Sequence, residues 1–269
     1  MRAISNSLIS FGAVLLAGAL LGLPQMCLGA PARSEPIAQG QDNNTLESAA
    51  MAKLKKSQFK DVKASVDSNG IATLSGTVSL YEYKADAQKR VSGVKGINAV
   101  RNEIEVAGPS VSDEQLRQKL GEALAYDRVG YGNVFNAITL QVQDGIVTLG
   151  GHAHDYPDRD SAVALASTTQ GVKGVIDDVE VDPVSTFDWQ TRMAVARAVY
   201  GYPSLNKYAI DPAKPIRISV QNGHVELYGM VDSQADKETA YIRANAVPGV
   251  FSVKNYLQVA NQPSESSSK

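Results

Sequence analysis

His152 and His154, followed by Asp155, Asp158 and Asp160, come nearest in this chain to a metal centre. In an extended strand, side chains two apart share a face. Neutral imidazoles on one face can share zinc or copper. The plainer reading is a pair of solvated histidines at a strand end, and His224, alone after its turn, reads as a surface residue. The carboxylates Asp155, Asp158, Asp160, Asp177, Asp178, Glu180 and Asp182 suggest calcium but lack the regular alternation of a calcium loop. They read as a solvated acidic surface. No Gly-x-Ser-x-Gly is present, and no phosphate loop either. The one cysteine, Cys27, falls in an apolar N-terminal stretch. No catalytic residue and no cofactor are expected.

Other residues suggest contact rather than reaction. Lys53, Lys55 and Lys56 cluster, with Lys60 and Lys63 after them. Near an anionic lipid surface such lysines contribute about 1 kcal/mol each. Trp189 is followed by Arg192 and Arg197, then by Tyr200 and Tyr202. Tyr126, Tyr131 and Phe135 occupy the corresponding stretch upstream, and Tyr208 follows Tyr202. Tyrosine suits a wet boundary because its ring is apolar and its hydroxyl polar. These groups read either as a lipid or partner surface, or as solvated helix faces and lids over their own cores.

The elements that position them occur three times. The segments Val66–Gly76, Val142–Gly151 and Val220–Gly229 share a turn glycine (70, 145, 223), and six residues on a second glycine (76, 151, 229). A valine closes each copy thirty-six residues after the turn (106, 181, 259). The spacing between copies, 75 and then 78 residues, exceeds the roughly 50 of solenoid repeats, so each copy reads as a small domain. Asn69-Gly70, Asp144-Gly145 and Asn222-Gly223 signal tight hairpins. Ser112-Asp113-Glu114-Gln115 is a capping box, and Leu116, Leu120, Ala123 and Leu124 follow at helical spacing. Ile138, Leu140 and Val142 alternate as a strand. A second helix is predicted over about 158–169. Gly96, Gly171 and Gly249 are expected to close the second helices, and Gly76, Gly151 and Gly229 to let a helix lie close to the sheet. The order is helix, strand, strand, helix, strand.

Residues 1–32 read as a secretory signal peptide, with an apolar stretch from Leu8 to Leu23 and Ala30-Pro31-Ala32 as a cleavage site. An uncleaved anchor is the alternative. Residues 33–44 read as a flexible spacer and 262–269 as a disordered tail. The domains are predicted at 45–108, 111–182 and 185–261. Removal of the signal leaves 25 basic against 28 acidic residues, which argues against nucleic acid as a partner. The copies differ in sign. Residues 46–108 hold ten basic and seven acidic residues, 112–184 five and twelve, and 185–261 eight and six. A uniform membrane-facing strip is therefore not expected.

The hairpin Asn-Gly-x-x-x-Leu-x-Gly, the alanine-rich second helix and the ending Gly-Val-x-x-Val-x-Asn-x-Leu-x-Val together resemble the BON family (bacterial OsmY and nodulation domains). The third copy carries that ending intact from Gly249 to Val259. The first has Ile97 and Ile104 at two apolar places, and the second has Asp177 for the asparagine. The resemblance covers roughly 46–261. It implies an α+β fold of three tandem αββαβ domains, each a three-stranded sheet with two helices on one face. It further implies a periplasmic or envelope location, a role in osmotic protection, and contact with anionic phospholipid or envelope proteins. A periplasmic chaperone or interaction scaffold is the alternative.

Overall fold

The computed structural model describes residues 39–128 and 133–260, and one unit recurs three times within them. The first copy comprises α1 (Gln39–Lys53), β1 (Val62–Val66), β2 (Ile71–Val78), α2 (Tyr81–Ser92), β3 (Ala99–Asn102) and β4 (Glu105–Val106). The second comprises α3 (Asp113–Tyr126), β5 (Ala137–Gln143), β6 (Ile146–Ala153), α4 (Tyr156–Thr168), β7 (Gly174–Asp177) and β8 (Glu180–Val181). The third comprises α5 (Thr186–Tyr200), β9 (Arg217–Gln221), β10 (His224–Tyr228), β11 (Met230–Val231), α6 (Gln234–Asn245), β12 (Ser252–Asn255) and β13 (Gln258–Val259). The first two strands of each copy pair antiparallel. The closing strand pairs parallel on the other edge of the return strand, in two pieces.

Local chemistry explains these elements. Asp144 and Gly145 take φ of 54° and 78°, and Asn222 and Gly223 take 50° and 75°, as a two-residue hairpin turn requires. The first helix holds each of these turns. The Asp113 carboxylate accepts from the Asp144 and Gly145 N–H groups at 2.7 and 2.8 Å. Asp188 accepts likewise from Asn222 and Gly223 at 2.9 and 2.8 Å. The capping box at Ser112 and Gln115 forms as expected. Ala87, Ala162, Ala166, Ala240 and Ala244 are buried, so the second helices approach their sheets over small side chains.

The closing asparagine acquires a role. Asn102 donates to the Lys84 carbonyl at 2.9 Å and accepts from the Ile104 N–H at 3.2 Å. Asn255 does the same with Lys237 and Leu257, at 2.9 and 3.2 Å. Each pins the break in the closing strand to the second helix. Asp177 has no donor, and the Arg159 side chain, from the same helix position as Lys84 and Lys237, reaches it at 3.4 Å instead.

Three expectations change. Gly76, Gly151 and Gly229 do not make room for a helix. A Cβ on Gly76 would stand 2.0 Å from the Asp61 carbonyl oxygen, and on Gly151 2.1 Å from that of Ala137. With φ of 112° and 79°, they mark a kink where the return strand crosses its partner's backbone. Gly96, Gly171 and Gly249 do take positive φ, but a turn beyond the helix ends rather than at them. Residues 39–44 of the expected spacer are helical. Once Leu46, Ala50 and Leu54 are packed, extending a helix by polar residues is inexpensive compared with starting one. The signal segment and the tail from 262 lie outside the described residues.

Adjacent copies pack together. Helix α2 lies against α4, and Tyr81 joins the second core with its hydroxyl 3.4 Å from the Val175 carbonyl oxygen. Strand β5 and the turn at 133–135 lie against β9.

Candidate functional site

The junction of the second and third copies collects most of the residues with chemical potential. The end of strand β6 directs Ala153 into its own core, and His152 within it and His154 just after it away from that core. Helix α5 brings Trp189 and Arg192 to the same place, and β9 brings Ser219 and Gln221 from the face opposite Ile218 and Val220.

At the centre lies a buried ion pair. Arg192 Nη2 meets Asp182 at 2.8 Å and donates to the Val220 carbonyl at 3.0 Å. Its Nη1 stands 2.9 Å from His154 Nδ1. Both members are buried, and Arg192 Nε has no hydrogen-bond partner among the described residues. Burial holds the Asp182 carboxyl above its ordinary range and the Arg192 guanidinium below its own. Both directions carry one message: desolvation outweighs the mutual attraction. Gln221 donates to the other Asp182 oxygen at 2.9 Å. Asp182, expected on a solvated acidic surface, is thus part of the contact between copies.

His152 lies 3.8 Å from Glu180 and 3.9 Å from Asp182. His154 stacks on Trp189, centroids 5.2 Å apart, and Phe135 meets Trp189 edge-on at 5.8 Å. The histidines do project from the open face of their sheet, but the third copy covers it, so they are not solvated strand-end groups. Among the described residues no cluster of three or more His, Cys, Asp or Glu could hold a metal ion. The acidic surface is likewise partly internal. Asp158 is buried and accepts from Asn136 at 2.9 Å, with Arg128 4.0 Å away.

His154 makes the junction sensitive to pH. With an arginine N–H directed at it, Nδ1 acts as acceptor, so the ring is neutral. Burial, then the Arg192 charge, holds its pKa below the ordinary value, while Asp155, Asp158 and Asp182 oppose that. Above about pH 6.5 neither folded nor unfolded chain binds this proton. Below it the unfolded chain binds more, so stability falls until the folded value is passed. The slope from one proton cannot exceed about 1.4 kcal/mol per pH unit. Burial raises the carboxyls of Asp158 and Asp182, an effect of opposite sign that both chains in the following comparison share. Urea unfolding at pH 7.5 and 5.5 is expected to show a larger acid loss for the native chain than for His154→Gln. Equal losses would remove the histidine from the account.

The remaining contact candidates scatter. Lys53, Lys55 and Lys56 are exposed together at the end of α1 and have no ion partner among the described residues. Arg192 is 2% exposed and Tyr200 sits against the third core, its hydroxyl donating to the Ile216 carbonyl at 2.6 Å. Neither can touch a membrane, which corrects their assignment as contact residues. Arg197 is exposed, about 140° round the helix from Arg192. Tyr202 is exposed beneath the Arg243 guanidinium, 5.4 Å away. Trp189 is partly exposed but has a ring face covered. Tyr131 lies outside the described residues. Sequence reading missed the Asp182–Arg192 pair. The one available signal was an arginine at a helix position flanked by core residues Val195 and Val199, too weak to separate a buried cation from an exposed one.

Comparison with known proteins agrees with the repeat. The chain is 29% identical over 163 residues to the Osmotically-inducible protein Y of Escherichia coli (strain K12), spanning 56% of this chain and 74% of that one. Among solved structures it aligns with two of CdsD, a structural protein of the Chlamydia trachomatis type III secretion system. Both are 18% identical, with TM-scores of 0.23. They cover 85% and 82% of this chain and 100% and 94% of theirs, and such scores support no argument. The BON domain model matches residues 42–108, 112–183 and 204–261, the last match beginning after α5. With most of its length matched in three tandem copies, the chain belongs to the BON domain family.

Proposed function

We propose that this protein is a non-catalytic, exported component of the bacterial envelope that supports the cell under osmotic stress by contacting anionic phospholipid surfaces. The similarity to an osmotically inducible protein supports the stress role, and the N-terminal segment supports export. The single observation that carries the lipid reading is the exposed cluster Lys53, Lys55 and Lys56, whose charges meet no carboxylate among the described residues. Lys60 adds to it, with Asp61 3.9 Å away. Three unpaired ammonium groups at one helix end attract an anionic surface, and salt weakens that attraction. No helix among the described residues is long and apolar enough to cross a membrane.

Cosedimentation tests this. The protein is expected to pellet with vesicles containing phosphatidylglycerol and not with phosphatidylcholine alone, less so at high salt. Lys53→Glu/Lys55→Glu/Lys56→Glu is expected to lose roughly 100-fold or more in partitioning, at about 1 kcal/mol per lysine. No vesicle binding by the native chain would end the lipid reading. A second reading, an interaction scaffold or chaperone, draws on the stacked pair Phe187 and Phe251, 6.2 Å apart, with Phe251 70% exposed. Suppression of client aggregation without vesicle binding would select it.

A further inference from the structure

Comparing the three copies exposes a gap in the second. In the first copy, Phe59 from the stretch before β1 is buried beside Val62 and Ala64. In the third, Leu205 and Tyr208 do the same beside Ile216 and Ile218. In the second, the corresponding Val134 and Phe135 pack against the third copy's core instead. Their own strand is left short of cover. Ile138 and Leu140 are only partly buried, where their counterparts Val62 and Ala64, and Ile216 and Ile218, are fully so. A pocket of about 130 Å³ lies here, with Leu124, Ile138 and Leu140 among its apolar lining.

Arg217 and Arg128 also line it. Arg128 is engaged, donating to Ser161 Oγ at 2.8 Å and the Asp158 carbonyl at 2.6 Å. Arg217 has no ion pair or hydrogen bond from its guanidinium among the described residues, although burial weakens its hold on the proton. The carboxylate nearest in sequence, Asp211, is held by the Tyr126 hydroxyl at 3.0 Å and the Ala213 N–H at 2.9 Å. A partly buried cation without a counter-charge is costly, and a planar guanidinium pairs best with a two-oxygen anion.

We propose that this pocket binds a small monocarboxylate with a short alkyl body, its carboxylate on Arg217 and its chain against Leu124, Ile138 and Leu140. The volume is on the scale of a cavity of about 150 Å³ that admits benzene, which limits the ligand to roughly six to eight heavy atoms. A phospholipid is far larger, so this site is separate from the membrane contact proposed above, and either can fail without the other.

The test uses hexanoate, 1-hexanol and hexylammonium as probes of equal length on the purified chain, by calorimetry and by the shift in melting temperature. Hexanoate is expected to bind and stabilise, 1-hexanol to bind at least tenfold more weakly, and hexylammonium not at all. Arg217→Met is expected to weaken hexanoate at least tenfold and to leave 1-hexanol nearly unchanged. Ala213→Glu, which places a carboxylate on the pocket wall, is expected to weaken hexanoate while raising the melting temperature of the free protein, and it serves where Arg217→Met does not fold. Hexanoate binding no better than 1-hexanol, no hexanoate binding at millimolar concentration, or undiminished binding in both variants would each overturn the proposal.

Discussion

Replacing Arg192 with methionine is expected to lower the unfolding free energy by about 3–5 kcal/mol. That is the usual consequence of leaving a buried charge, here Asp182, without its partner. The pair sits 2.8 Å apart with both side chains almost fully covered, so water cannot compensate. Asp182→Leu alone is expected to cost a similar amount, since it strands the guanidinium beside His154. The double variant should recover most of the loss, because burial already holds both groups away from their charged forms. Two apolar side chains of similar volume incur no such desolvation. Urea unfolding checks this through Trp189, the chain's one tryptophan, which lies at the junction and reports on it directly. A single-variant loss under about 1 kcal/mol would mean that the pair is solvated in solution and the two copies are not docked through it.

Gly76→Ala is expected to cost more than about 3 kcal/mol, and Gly151→Ala about as much. An L residue in the left-handed region costs roughly 1–2 kcal/mol by itself. The added methyl also meets a backbone carbonyl oxygen at 2.0 Å in the first copy and 2.1 Å in the second, neither of which can turn aside as a side chain could. The strand must shift, and the hairpin register with it. Gly121→Ala is the contrasting case. Gly121 lies within α3, its Cβ would meet nothing within 4 Å, and the change should stabilise by about 0.5–1 kcal/mol. Thermal unfolding of the three variants checks both signs. A tolerated alanine at 76 and 151 would mean that the kink is not obligatory.

Much of the architecture was legible because its causes are local. A hairpin turn needs left-handed backbone at fixed places, and only glycine, asparagine and aspartate supply it cheaply, so Asp144-Gly145 and Asn222-Gly223 announce themselves. A capping box is four consecutive residues. The closing asparagine was visible as a pattern, though its bond to the second helix was not, and Asp177 with Arg159 appears as a swap only once both positions are seen side by side. The kink glycines were recognised and given the wrong cause. Spacing marks a position without saying which backbone crosses it.

The candidate site was far less legible. Lys53, Lys55 and Lys56 could be read as an exposed group because sequence neighbours on one helix end remain neighbours. Arg192 and Tyr200 could not be separated from Arg197 and Tyr202, since all four lie on or just past one helix and differ only in what lies opposite. The sequence alone determined the repeating unit, its strand order, its turns and its caps, because each depends on residues within one copy. Only the tertiary structure decided that the third copy covers the histidine face of the second, burying a charge pair and leaving Arg217 at the edge of a pocket. Those contacts join residues as distant as His152 and Gln221, 69 positions apart, and no local pattern encodes which face of a small domain will meet its neighbour.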